Sequence, residues 1–302
     1  MRSLLARLAV LSAFAVSLAA CQNGSGTSLP FAGPPNNAGG NSGTVQAGSN
    51  GAALIRFLQG SPDVGAVDVC IDNIPFGTPF QALPYAKASS LFAIAGGVTH
   101  TIAVYNAMSG PNAGAECATA PGPYFGAAAL AVTTLGVGNN VRWTVVLGGT
   151  TKSTPSTFGL YVYNEATFPS PPAGSAAVSH NAAPAYSIGK PNGVGFGICT
   201  TTVTPCAAPV ALSNAQGIAA PKSSPPGGAV TNSSVVSGLN GVPAGFYDGT
   251  GVPTGNPVPV TSIPAPNAIA GQPYYVQLYA IDGPAGGLNL VGFVEQTLGF
   301  GF

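Results

Sequence analysis

The chain has 302 residues, of which 46% are hydrophobic and only 5% charged, with eight basic residues balancing eight acidic ones. Such a surface offers no basic field to nucleic acid or anionic headgroups, and it does not suit a freely diffusing cytosolic protein that depends on charge for solubility. The 43 glycines and 29 prolines punctuate short runs of Val, Ile, Phe and Tyr, the pattern of strands divided by turns rather than of capped helices.

Residues 1–20 read as an export signal. Arg2 and Arg7 precede the apolar stretch Leu8 to Leu18, and the small residues Ala19 and Ala20 lead to Cys21. The stretch is too short for a transmembrane helix, which needs about 20 residues. Leu18-Ala19-Ala20-Cys21 resembles a bacterial lipobox, and the resemblance implies cleavage before Cys21 with lipid on its thiol. At least two acyl chains follow from that chemistry, enough for stable anchoring where one chain is marginal. Gln22 in place of an aspartate favours the outer membrane or cell surface over the inner membrane. Without Arg2 and Arg7, six basic residues face eight acidic ones.

Residues 21–51, rich in Gly, Ser, Asn and Ala, read as a flexible tether. As a coil its ends would lie roughly 30 Å apart. A first β-sandwich domain is expected over 52–168. Ala53 to Leu58 is an apolar run, and Gly60-Ser61-Pro62-Asp63 is a turn. Val67-Asp68-Val69-Cys70-Ile71-Asp72 alternates strictly, placing the valines and Ile71 inward and Cys70 on the outer face. Ser89 to Ala95 and Val98 to Tyr105, joined by Gly96-Gly97, predict a hairpin. Ala128 to Leu135, Val141 to Leu147 and Phe158 to Asn164 complete about seven strands.

A second, divergent domain is expected over 174–302, joined at Pro169-Ser170-Pro171-Pro172. Phe196-Gly197-Ile198-Cys199 matches Val67 to Cys70, and Asn181-Ala182-Ala183-Pro184 stands where Gln59-Gly60-Ser61-Pro62 stands. Tyr274 to Ile281 parallels Val141 to Gly148, and Leu290 to Glu295 resembles Leu160 to Glu165. A surface loop insertion is expected at 214–257. The fold class is therefore all-β: two tandem immunoglobulin-like Greek-key sandwiches with long Gly/Pro/Ser-rich loops.

Ile55 to Asp63, followed by Ala66 to Asp72, resembles the opening of the "domain of unknown function 4397" family. Ser61, Pro62, Asp63, Val67, Asp68 and Val69 stand at matching positions, with Gly65 in place of the usual proline. The resemblance covers Ala52 to Phe168 well and Gly174 to Phe302 poorly. It implies a β-sandwich in an envelope location and supplies no catalytic residue.

Setting Cys21 aside leaves Cys70, Cys117, Cys199 and Cys206, an even count suited to an oxidising compartment. Three pairings are open. Cys70–Cys117 with Cys199–Cys206 keeps each bridge within one half. Asp63, Asp68 and Asp72 form the one acidic cluster, a candidate for calcium only if six to eight oxygens converge there. His100 and His180 have no local partner arranged as a metal or triad motif. Asp63 and the tyrosines have ordinary roles available in turns and cores. The reading is a non-enzymatic, lipid-anchored envelope protein without cofactor, held to the membrane through lipid on Cys21 and meeting an envelope protein or a glycan. A glycan- or nutrient-binding module is the alternative, and an envelope hydrolase a third.

Overall fold

The computed structural model describes residues 51–72, 74–75, 81–89, 91–107, 117, 128–139, 141–164, 175–199, 209–211, 217–220, 233–237, 243–247, 253–259 and 274–296. The signal, Cys21, the tether, the Pro169–Pro172 joint and Cys206 lie outside these residues, as does the side chain of Cys199.

The described residues form an all-β body of four sheets. The first half supplies β1 (Ala52–Gln59), β2 (Val67–Ile71), β3 (Ile74–Pro75), β4 (Lys87–Ala88), β5 (Phe92–Ala95), β6 (Val98–Asn106), β7 (Ala131–Val137), β8 (Arg142–Gly148) and β9 (Gly159–Asn164). The second supplies β10 (Ser175–Ala182), β11 (Gly195–Cys199), β12 (Pro209–Ala211), β13 (Ser233–Ser237), β14 (Pro243–Tyr247), β15 (Pro253–Pro259), β16 (Tyr274–Asp282) and β17 (Leu288–Gln296). Sheet I has the order β4-β1-β8-β9, with β5 also on β1, and sheet II has β3-β2-β6-β7. Sheet III has β13-β10-β16-β17 and sheet IV β12-β11-β14-β15.

The strand senses repeat as well. In sheet I, β1 runs parallel to β8 and antiparallel to its other neighbours; in sheet III, β10 runs parallel to β16 and antiparallel to β13. Sheets II and IV are wholly antiparallel. The turn after the first strand repeats too. Gln59 Oε1 accepts from the Ser61 amide at 2.9 Å, and Asn181 Oδ1 accepts from the Ala183 amide at 3.0 Å.

Alternation decides what each sheet covers. On sheet I, Ile55, Phe57, Trp143, Val145, Leu147, Leu160 and Val162 pack against Val67, Val69, Ile71, Ile102, Val104 and Leu135 of sheet II. The residues between them on the same strands, Leu58, Val146, Tyr161 and Tyr163, join Tyr279 and Ile281 of sheet III. Sheet I is thus buried on both faces, which is why β1, β8 and β9 carry near-continuous apolar runs. The other face of sheet III meets Val194 and Phe196. The layers succeed one another as II, I, III, IV.

Two expectations are corrected. Gly96-Gly97 does not close a hairpin: β5 pairs with β1 in sheet I, while β6 pairs with β2 and β7 in sheet II. The two glycines carry the chain from one sheet to the other. Gly97 has φ 71°, and a Cβ on Gly96 would lie 2.5 Å from Asn139 Oδ1, so the crossing needs residues without side chains. The segment 214–257 is no bare insertion either, since it holds β13, β14 and part of β15. Prolines concealed two of them, β14 and β15. Pro253, Pro257 and Pro259 lie on β15 and Pro209 on β12, the two edges of sheet IV, where a missing amide donor interrupts no interior ladder.

Candidate functional site

The three aspartates of the acidic cluster do not converge. Asp63 accepts from Ser61 Oγ at 3.0 Å and from the Thr151 amide and hydroxyl at 2.9 and 2.6 Å. Desolvation pushes its carboxyl up, but the bonds from Thr151 and Ser61 outweigh it and hold the group below its ordinary value. Asp68, buried on β2, accepts from the Ala82 amide at 2.5 Å. Asp72 stands at the end of β2 with φ 53°, and accepts from the Thr101 amide at 2.8 Å and from His100 Nδ1 at 2.6 Å. Among the described residues, no three His, Cys, Asp or Glu side chains are grouped to hold a metal ion.

His100 therefore has a carboxylate partner, which its sequence neighbourhood did not reveal. Its Nε2 lies 2.8 Å from the Ala95 carbonyl oxygen. Both ring nitrogens face acceptor oxygens, so neither is left to take a proton from a hydroxyl nucleophile. The side chain instead ties the β2 end to the last residue of β5, holding sheets II and I together where the chain crosses.

Cys70 and Cys117 form a disulfide with Cα atoms 5.4 Å apart. As the alternation on β2 requires, Cys70 faces away from the main core. It is nonetheless buried, in a small cluster with Ala103, Cys117 and the flank of Tyr105.

A buried polar group lies between sheets I and III. His180 of β10 stacks on Tyr279, with ring centroids 4.5 Å apart and planes at 18°. Tyr163 of β9 meets both edge-on, at 5.0 Å from His180 and 5.3 Å from Tyr279. His180 Nε2 lies 3.0 Å from Gln277 Oε1, and the Tyr163 hydroxyl donates to the Asn181 carbonyl at 2.8 Å. Across the layer, Arg56 of β1 is buried and donates from Nε to Thr144 Oγ1 at 3.4 Å. Burial, with a smaller contribution from the Arg56 charge, lowers His180 to about 3 against a bond from Gln277 that raises it. The imidazole is thus neutral and serves as an aromatic packing group.

Asp282, at the end of β16, closes the same layer. Its carboxylate accepts from the Tyr186 amide at 2.7 Å, from Gly149 at 3.1 Å and from Ala185 at 3.3 Å. Burial raises it to about 6, against the lowering effect of those three amides. Tyr85 also reaches across, donating to the Asp282 carbonyl at 2.7 Å. Neither Asp282 nor Arg56 stood out in the sequence. The available signal was a lone arginine inside an apolar strand, which marks a buried polar layer as readily as a solvent edge.

These arrangements define a class: an all-β protein of stacked sheets whose described histidines and aspartates are engaged in holding its own layers. A family model described as Domain of unknown function (DUF4397) matches residues 53–187, the family that the opening strands resemble. The match runs beyond residue 168 and takes in β10 and its turn, including His180. No curated protein matches the chain.

Proposed function

We propose that this protein is a non-enzymatic, lipid-anchored component of the bacterial cell envelope, built as two tandem immunoglobulin-like β-sandwich units and serving a structural or adhesive role. The observation that carries the non-enzymatic part is the commitment of His100, His180 and Asp282 to internal hydrogen bonds and ring packing. A catalytic base needs a free nitrogen or carboxylate oxygen within reach of a substrate proton. The repeated sheet orders support the tandem reading, and the Leu18-Ala19-Ala20-Cys21 junction supports the anchor. The disulfide suits an oxidising compartment. Buried Tyr161, Tyr163 and Tyr279 favour a packed structural body over a glycan-binding platform of exposed rings.

Mass spectrometry of the mature protein tests the anchor: the first residue is Cys21, carrying acyl chains. Cys21→Ser moves the protein from the membrane fraction to the soluble one. A mature terminus elsewhere, or an unmodified Cys21, overturns the reading.

A further inference from the structure

Sheet edges are where one chain can add to another, and proteins blunt them with proline, charge or brevity. Most edges here are blunted. β3 and β4 have two residues each, β12 and β15 carry proline, and β17 carries Glu295. Among the described strands, the longest edge free of both proline and charge is β7, seven residues reading Ala-Val-Thr-Thr-Leu-Gly-Val. Among the described residues no strand pairs with its outer side.

The hydrogen-bond phase of β6 shows which β7 groups face outward. The Asp72 amide donates to the Thr101 carbonyl, and the Thr101 amide donates to Asp72 Oδ1. Thr101 therefore turns its backbone toward β2, and the alternate residues Ile102 and Val104 turn theirs toward β7. Ile102 is paired with Thr133 and Val104 with Ala131, so the amides and carbonyls of Val132, Thr134 and Gly136 point away from the sheet. The same three residues are exposed, and Val132, at 59%, is the most exposed large hydrophobic side chain described.

We propose that β7 pairs antiparallel with β7 of a second copy of this chain, about a two-fold axis through Thr134. The strand is complementary to itself in that register. Thr134 meets Thr134, a favourable cross-strand pair, and each Val132 lies over the other copy's Gly136. Thr133 and Leu135 meet on the core side. No charge stands on either edge, so the approach of identical strands meets no like-charge repulsion. Sheet II then continues through the axis into its copy as an isologous, closed dimer.

The test is sedimentation of the full chain in mild detergent, with two edge variants. The wild type sediments as a dimer at micromolar concentration. Thr134→Pro removes one outward amide at a position where an edge strand tolerates proline, and Val132→Lys sets a charge on each side of the axis. Each weakens dimerisation at least tenfold while leaving the thermal unfolding midpoint of the monomer near the wild-type value. A monomeric wild type overturns the proposal. So does a dimer that both variants leave intact, which would place the contact elsewhere or in a shared micelle.

Discussion

Tyr163 of β9 and His180 of β10 meet edge to face with ring centroids 5.0 Å apart, and the Tyr163 hydroxyl bonds the carbonyl of Asn181, the residue after that histidine. One residue from each half thus completes a single buried layer. Tyr163→Ala empties that layer and should destabilise the protein by about 4 kcal/mol. Tyr163→Phe keeps the ring and leaves a buried carbonyl without its donor, a loss of roughly 1–3 kcal/mol. Urea unfolding followed by circular dichroism measures both. Because the layer belongs to both halves, unfolding is expected as one transition in the wild type. Two separated transitions there would contradict the shared layer.

Asp282 and His180 give the protein opposite responses to pH. The Asp282 carboxyl rises from 3.8 to about 6 on burial, so between those values the folded chain binds the extra proton and stability falls as pH rises. His180 falls from 6.5 to about 3, so the unfolded chain binds the extra proton and stability falls as pH drops through that range. Across the overlap the two slopes offset. Asp282→Asn uncovers the histidine, and urea-unfolding stability then climbs with pH by up to roughly 1.4 kcal/mol per unit. His180→Phe uncovers the aspartate and reverses the sign. Equal slopes in the two variants would refute the assignment.

The Cys70–Cys117 bridge spans 47 positions of sequence. By the loop-entropy relation, closing a loop of that length stabilises the folded state by about 4 kcal/mol. Replacing both cysteines by alanine should lower the thermal midpoint of the non-reduced protein and shrink the further drop that reductant causes. A double variant as stable as the wild type would show that the loop carries no such constraint.

Gly149 has φ 77°, and a Cβ there would lie 2.0 Å from the Thr157 carbonyl oxygen. Gly149→Ala should cost roughly 3 kcal/mol or more, because the left-handed backbone and the overlap act together. Gly159→Ala meets no atom within 4 Å and should change stability by less than about 0.5 kcal/mol. Comparing denaturation midpoints of the two variants separates local crowding from a general intolerance of added methyl groups.

Strands with strong alternation were legible in the sequence. Val67 to Ile71 declares its two faces, and the burial of Cys70 in a cluster of its own follows from them. Gly96-Gly97 misled because a double glycine is a local turn signal, whereas the choice between hairpin and sheet crossing rests on distant partners, β1 and β2. β13 and β15 escaped notice because edge strands of small residues and proline lack the alternation that a half-buried strand shows, and β14, interior to sheet IV, is only five residues opening Pro-Ala-Gly. The layer between sheets I and III was hidden for a related reason. Arg56, His180, Gln277 and Asp282 look like surface residues until the second half of the chain covers them.

The parallel pairings of β1 with β8 and of β10 with β16 set the order in which the body can be finished. Leu54 is registered with Arg142, and Ser175 with Tyr274, so each central pair waits for a strand made about a hundred residues later. Such distant contacts form slowly. The layer shared by the halves waits longest, because Tyr279 and Asp282 stand on β16, more than two hundred residues after β1. A growing polypeptide therefore presents the face of sheet I that carries Leu58, Val146 and Arg56 uncovered until β16 has been synthesised. Truncation before β16 would leave that face without the surface it was shaped to meet.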